Sequence, residues 1–339
     1  MIASVVRVPW HTTHGGYDRL LDHLPEVRRI TPPRHPGARL AFTAAHRVLG
    51  PQCPLPFYPA EHFATDLRVL ASNQPAHVLY GDEQFWFSRH RTGPTAVTYH
   101  QPPDQLARLL PMRVWRRLAA RAEQIIVLDP QQQAFFCNLL PNERVHLVPH
   151  GIDTTAFTPA TAPPEPGRPL VLTVGWWLRD FDTLDAVHNL LHRRHGEEIE
   201  LTVVTRRAAS RLWHPAARIL EGISEQELIG LYKRAAFLLL PLTGASANNA
   251  LLEALACGTP AVVTDIGGIR HYTGNGPAAV LIPSGNVPAA AEAADKLLAE
   301  LGTADHTARR VAAREQAESF AWPLVADQMR TVYRLLGEK

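Results

Sequence analysis

The sequence predicts an α/β protein made of two doubly wound, parallel-sheet domains in series. Three observations predict it. Short apolar or β-branched runs are each followed by a turn and a longer amphipathic stretch, the alternation that sets parallel strands between covering helices. This alternation occurs twice, on either side of a Pro- and Thr-rich segment, TTAFTPATAPPEPGRP, from Thr154 to Pro169. The 339 residues amount to about two ordinary domains, and 46% of them are apolar against 19% charged, enough for two large cores.

In chain order, the first set of strands reads SVVRV, HVLY, TAVTYH, QIIVL and RVHLVPH. The second reads PLVLTVGWW, IELTVVT, AFLLLPL, TPAVVTD and AAVLIP. The Pro/Thr segment lacks periodicity and reads as a linker, giving a Rossmann-like domain over 1–154 and a second over 155–322. The closing stretch places Val325, Met329, Val332, Tyr333 and Leu336 at helical spacing, with Phe320 and Trp322 as anchors before it. Residues 323–339 are expected to form a terminal helix packing back on the first domain. Open α/β sheets bind ligands outside the carboxyl ends of their strands, so the two domains are expected to face a cleft that holds the site.

Composition narrows the function classes. Lys plus Arg number 34 against 32 Asp plus Glu, too balanced for a protein that coats nucleic acid. Cys53, Cys137 and Cys257 are odd in number, far apart and without a CxxC pairing, which argues against a disulfide framework or zinc cluster and for a reducing, cytoplasmic setting. No apolar run reaches the roughly 18 residues of a membrane span, and Arg7 and Pro9 interrupt the opening hydrophobic stretch. The chain is expected to be soluble or at most peripheral to the inner face of a membrane.

The most informative stretch is FLLLPLTGASANNALLEALACGTPAVVTDIGG, residues 237–268. A buried strand runs through a small-residue loop, Thr243 to Ala247, into a helix from about Asn248 to Cys257, closed by Gly258 and Pro260. A helix start offers unpaired amides and the positive end of its dipole, and small side chains let phosphate approach. Ser246, Ala247, Asn248 and Asn249 are therefore candidate diphosphate contacts. Glu253 lies four residues beyond Asn249 on one helix face, where a carboxylate can accept hydrogen bonds from a ribose diol. Helix capping by Ser246 or Asn248 and a solvated Glu253 is the competing reading. An acid inside the apolar run LLEALACG, between two buried strands, favours the nucleotide.

These residues resemble the nucleotide-binding core of glycosyltransferase family 4, with the GT-B fold. The resemblance is carried by ALLEALACGTPAVVTDIGG, the preceding AFLLLPL and SEQELIGLYKRA, the hinge-like VHLVPHGIDTTAFTP and the strand-loop LVLTVGWWLRDFDTLDAV, in order over most of residues 95–335. It implies a retaining, metal-independent transfer of a hexose-type sugar from a nucleotide diphosphate donor to a hydroxyl acceptor. The donor sugar nucleotide, UDP- or GDP-linked, is a substrate, and no cofactor is expected.

Carried over by residue, Glu253 matches the second glutamate of the family's pair, while the position of the first, which reads sugar hydroxyls, is Ala245. Arg179 matches the family's phosphate-neutralising lysine; the family's arginine falls on Trp176 or Trp177, and Arg206 or Arg207 is the expected substitute. The loop around Gly222 and Ile223 matches the main-chain contact to the nucleobase and leaves uridine and guanosine undistinguished. His100, at the carboxyl end of TAVTYH, fits the family's histidine near the reacting end of the sugar. Gly15 and Gly16 resemble its glycine loop, against which stands an ordinary tight turn. The expected catalytic set is thus His100, Arg179 and Glu253.

His11, His14, Asp82 and Glu83 mark further loops that read as acceptor-side or as plain loop polars. Zinc among His11, His14 and His100 is rejected for lack of ligand spacing. The run Arg113, Arg116, Arg117 and Arg121 reads as a solvated helix face, with weak contact to anionic lipid as the alternative; the acceptor is small, lipid-linked or a glycan. Two other functions compete. A noncatalytic sugar-nucleotide or glycan binder is suggested by Ala245 and the tryptophan pair, and an NAD(P)-dependent oxidoreductase would need a GxGxxG that neither half contains.

Overall fold

The computed structural model describes residues 1–6, 12–161 and 167–337. His11 therefore lies outside the described residues. The chain divides into two compact units, Met1–Gly151 with Trp322–Lys339, and Ile152–Ala321.

The first unit is a six-stranded, all-parallel sheet of β1 (Ile2–Ser4), β2 (Arg28–Ile30), β3 (Ala76–Val78), β4 (Thr95–Thr98), β5 (Gln124–Val127) and β6 (Val145–Leu147), in the order β2-β1-β3-β4-β5-β6. β3, β4 and nearly all of β5 are buried, the mark of strands covered on both faces. The helix Trp322–Leu335 belongs to this unit: Val325, Met329 and Val332 are buried, and the Tyr333 ring meets His77 of β3. Gly151 is there because a Cβ would sit 2.2 Å from the Trp322 ring.

The second unit holds β7 (Leu170–Val174), β8 (Glu200–Val204), β9 (Ala217–Leu220), β10 (Ala235–Leu240), β11 (Ala261–Thr264) and β12 (Ala279–Ile282), again all parallel, in the order β12-β11-β10-β7-β8-β9. Side chains alternate by the strand period of two: Leu170, Leu172 and Val174 join one core with the helix Asn249–Ala256, while Val171 joins another with Phe237 and Leu239. Chain order reverses between β7 and β10, so this is the topological switch point, where loops diverge to opposite faces and leave a crevice at the strand ends. In the first unit the reversal falls between β1 and β3.

β2 and β9 were not among the expected strands. Both lie at sheet edges, and their burial is partial, so neither has the continuous apolar run that marks the interior strands.

Candidate functional site

At the second unit's switch point the loops after β7 and β10 are joined. The Asp180 amide donates to the Pro241 carbonyl and the Thr243 amide to the Leu178 carbonyl, each at 3.0 Å. This short antiparallel pairing lays Arg179 beside Leu242. Two residues in left-handed backbone make the turn, Gly175 (φ 101°) and Leu178 (φ 55°). Leu178 carries a side chain there at some strain. At Gly175 a Cβ would come within 2.5 Å of the Arg179 Nη2, so glycine makes room for the guanidinium.

Arg179 donates through Nε to the Val174 carbonyl (2.9 Å) and through Nη1 to the Trp177 carbonyl (3.0 Å). Its Nη2 reaches Asn248 Oδ1 at 3.5 Å. Burial lowers its pKa to about 10, opposed by the nearby Tyr232 and Glu253, so it stays protonated at neutral pH. A cation thus lies against the helix N-terminus, which is also the positive end of the dipole. Like signs there leave a strong preference for an anion.

Asn248 is the N-cap of the helix Asn249–Ala256: its Oδ1 accepts from the Leu251 amide at 3.1 Å. The capping reading therefore holds for Asn248. It satisfies one orphan amide, while those of Asn249 and Ala250 find no acceptor among the described residues. Ser246, 2% exposed, has a buried Oγ without a partner among the described residues. A buried hydroxyl with nothing to bond is costly unless a ligand or water meets it, and Asn249 itself is exposed. Ala247 separates Ser246 from the cap and adds only a methyl group.

Glu253 points from the same helix and is 7% exposed. Its Oε2 accepts from the Tyr232 hydroxyl at 2.8 Å. Burial pushes its carboxyl up to about 7; Glu225 adds to the rise, and the Tyr232 hydroxyl and Arg179 oppose it. The carboxyl titrates near neutrality. Tyr232 was not read from the sequence, because in SEQELIGLYKRA it occupies a core-facing helical position and is indistinguishable from packing.

The Ala245 side chain is buried, and its carbonyl accepts from the Gly268 amide at 3.0 Å. Gly267 is left-handed (φ 56°), and a Cβ there would lie 1.8 Å from that carbonyl. The two glycines of TDIGG therefore hold the loop 243–247 in place. Of the two arginines after β8, Arg207 comes to the tryptophan pair, its guanidinium 4.7 Å from the Trp176 ring. Arg206 is exposed. Gly222 takes φ 69° in an open turn, which alone requires glycine, and Ile223 is half-buried beside it.

In the first unit, His100 follows β4. Its ring stacks on Tyr80 with centroids 4.5 Å apart and meets Tyr17 edge-on at 4.9 Å. Nε2 is 2.7 Å from the Leu79 carbonyl, which can only accept, so that nitrogen carries a proton. Asp82 Oδ2 accepts from the amides of His100 (3.3 Å) and Gln101 (2.9 Å), so this carboxylate shapes the loop. Burial raises the pKa of Asp82 and of Glu83 beside it. Gly16 has φ 98° and begins the turn to Tyr17, whose amide donates to the Tyr80 hydroxyl at 3.0 Å. Gly15 donates to Thr12 Oγ1 at 3.1 Å, and His14 is half-buried next to it.

Among the described residues no group of three or more His, Cys, Asp or Glu is gathered to hold a metal, and no helix is long and apolar enough to cross a membrane. The helix Met112–Ala119 buries Trp115, Leu118 and Ala119 and exposes Arg113, Arg116 and Arg117.

Two six-stranded parallel sheets covered by helices give the GT-B fold. Residues 169–300 match the family described as Glycosyl transferases group 1. The D-inositol 3-phosphate glycosyltransferase of Nocardia farcinica is 28% identical over 64% of this chain and 54% of its own length. The MMP alpha-(1->4)-mannosyltransferase of Mycolicibacterium hassiacum is 26% identical over 71% of this chain and 65% of its own. The chain spans about half, or less, of the curated relatives it first matches. Among solved structures, the sucrose-phosphate synthase of Thermosynechococcus elongatus aligns with TM-score 0.72 at 20% identity, covering 99% of this chain and 98% of that one. "Trehalose-6-phosphate from E. coli bound with UDP-2-fluoro glucose" aligns at 0.69 and 13%, covering 99% and 98%. The family match falls within the second unit, and over the rest of the chain the likeness is to proteins named as glycosyltransferases.

Proposed function

We propose that this protein transfers a hexose-type sugar, with retention of configuration and without a metal, from a nucleotide diphosphate donor to a hydroxyl acceptor. One observation carries the reading. At the β7/β10 switch point the Arg179 guanidinium lies at one helix start with the amides of Asn249 and Ala250 and the Ser246 hydroxyl, none of which has a partner among the described residues. That set suits the oxygens of a diphosphate, with the helix dipole and one cation neutralising the charge that grows as the bond to the sugar breaks. Arg206 or Arg207, the latter beside Trp176, is the second cation in this proposal.

Glu253 takes the ribose diol, one helical turn beyond the phosphates, and Tyr232 orients its carboxylate. Gly222 and Ile223 are kept as the main-chain edge for a uracil or guanine base. The His100 Nε2 proton is committed to Leu79, so the proposal gives this ring an orienting role toward the sugar and no proton abstraction through that nitrogen. The leaving diphosphate serves as base for the acceptor hydroxyl. Relatives named as an inositol phosphate glycosyltransferase and a mannosyltransferase support the reaction class.

A noncatalytic sugar-nucleotide binder is the second reading, favoured by Ala245, whose methyl group offers the sugar no hydrogen bond. A calorimetric screen of UDP- and GDP-hexoses, followed by assay of nucleotide diphosphate release with and without hydroxylated acceptors, separates the two. Acceptor-dependent release is expected. Tight donor binding with no release under any acceptor contradicts the transferase reading.

A further inference from the structure

The helix Pro36–Leu49 of the first unit has no buried residue along its 14 positions. Its inner side rests on the helix Ala60–Leu70, where the His46 ring meets Phe63 with centroids 5.5 Å apart, and His46 Nε2 bonds the Tyr58 carbonyl at 2.8 Å. Its outer side is apolar. Leu40, Ala44 and Val48 recur every four residues, and Leu40 and Val48 are 73% and 72% exposed. Next to Tyr58, Phe57 is 59% exposed in left-handed backbone, φ 56°, a conformation disfavoured for a bulky residue.

The helix itself carries charge of one sign, although Glu61 is exposed at the start of the neighbouring helix and Arg29 is paired with Asp22. Between Val27 and Ala60 the chain has five arginines and no aspartate or glutamate, although the whole chain is nearly neutral at +2. Arg39 and Arg47 flank the apolar stripe and are exposed. At the helix start lies a groove of about 500 Å³ lined by Pro32, Pro33, Arg34, His35, Phe42 and Arg68. An apolar stripe bordered by arginines, on a helix that carries no acid of its own, matches a helix lying in the headgroup layer of a bilayer. A second copy of the chain is a poor occupant, since it would bring two arginine-rich faces together. The other basic helix, Met112–Ala119, lacks this form: its large apolar side chains Trp115 and Leu118 are buried, leaving its arginines as a solvated face.

We propose that the helix Pro36–Leu49, with Phe57 and the Arg34/Arg68 groove, docks the protein on an anionic phospholipid surface. Leu40, Val48 and Phe57 enter the acyl boundary, and the arginines meet lipid phosphates. The proposal is independent of the donor-site reading, and its readout needs no sugar transfer.

The test is flotation of the full chain with vesicles of phosphatidylcholine alone and of phosphatidylcholine mixed with phosphatidylglycerol. The chain is expected to float with the mixed vesicles only, and less as salt is raised. Leu40→Asp with Val48→Asp, and separately Arg39→Glu with Arg47→Glu, should each lower partition by about tenfold or more at an unchanged melting temperature. No flotation with mixed vesicles, equal flotation with neutral ones, or full flotation of either double variant overturns the proposal. So does displacement by inorganic phosphate at constant ionic strength, which assigns the arginines to a soluble ligand. A dimer without lipid that Leu40→Asp with Val48→Asp abolishes gives the face to a second copy and also overturns it.

Discussion

The two switch points of this molecule are built from the same topology and finished differently. At the strand ends beside the β1/β3 switch point of the first unit most polar groups close on each other: Tyr80 takes the Tyr17 amide, Asp82 Oδ2 takes the amides of His100 and Gln101, and His100 gives its Nε2 proton to Leu79, while Asp82 Oδ1 has no partner among the described residues. Between β7 and β10 of the second unit a buried serine hydroxyl and two helix amides have no partner among the described residues, beside a cation whose contact to Asn248 is only 3.5 Å. A parallel sheet supplies a crevice at either place. In the proposed reading the second place suits an anion because its unpaired groups are donors beside a cation, whereas the unpaired Asp82 Oδ1 of the first is an acceptor.

The contrast can be broken by experiment. Arg179→Ala should have the largest effect, weakening nucleoside diphosphate binding by about 100-fold while leaving the bare nucleoside unaffected, since charge-assisted bonds to phosphate are among the strong ones. Calorimetry with both ligands checks it; equal losses would remove Arg179 from the phosphates. Glu253→Gln should cost on the order of 1.5 to 3 kcal/mol of nucleotide affinity through the ribose, and an unchanged affinity would remove Glu253 from the site.

Acidity sharpens the same comparison. With its folded pKa at about 7 and an ordinary value of 4.5, Glu253 holds its proton in the folded chain where the unfolded chain has released it. Its contribution to stability is therefore present below pH 4.5 and is lost as pH rises toward 7, by up to about 3 kcal/mol. Urea titrations across that window should show this fall in the ligand-free protein and its absence in Glu253→Gln. Nucleotide affinity should run the other way, rising through pH 7 as the carboxylate forms. The smallest effect belongs to Tyr232→Phe, about 1 kcal/mol. Losing the hydroxyl that donates to Glu253 should raise the carboxyl pKa and move the affinity midpoint to higher pH, read from the same titration.

What could be read from the sequence follows from which forces write a residue-type pattern. Buried parallel strands must be apolar, so β7, β10 and β11 stand out, whereas the edge strands RRI and ARIL are half solvated and read as polar segments. The helix start at Asn248 was legible because small residues, a capping side chain and a following apolar run have few other causes. The antiparallel pairing that turns Arg179 onto Asn248 was not, since main-chain hydrogen bonds leave no residue signature. The left-handed Leu178 hides for the same reason. Tyr232 was missed because a buried tyrosine at a helical core position differs from packing only through its hydroxyl, and its partner Glu253 comes from another helix.

Amide hydrogen exchange of the protein, with and without saturating UDP or GDP, tests the central claim most directly. The account predicts protection concentrated at the amides of residues 246–250, where a diphosphate would accept their hydrogen bonds, and its loss in Arg179→Ala. Saturating nucleotide that leaves those amides exchanging as before, while protecting others, would contradict it.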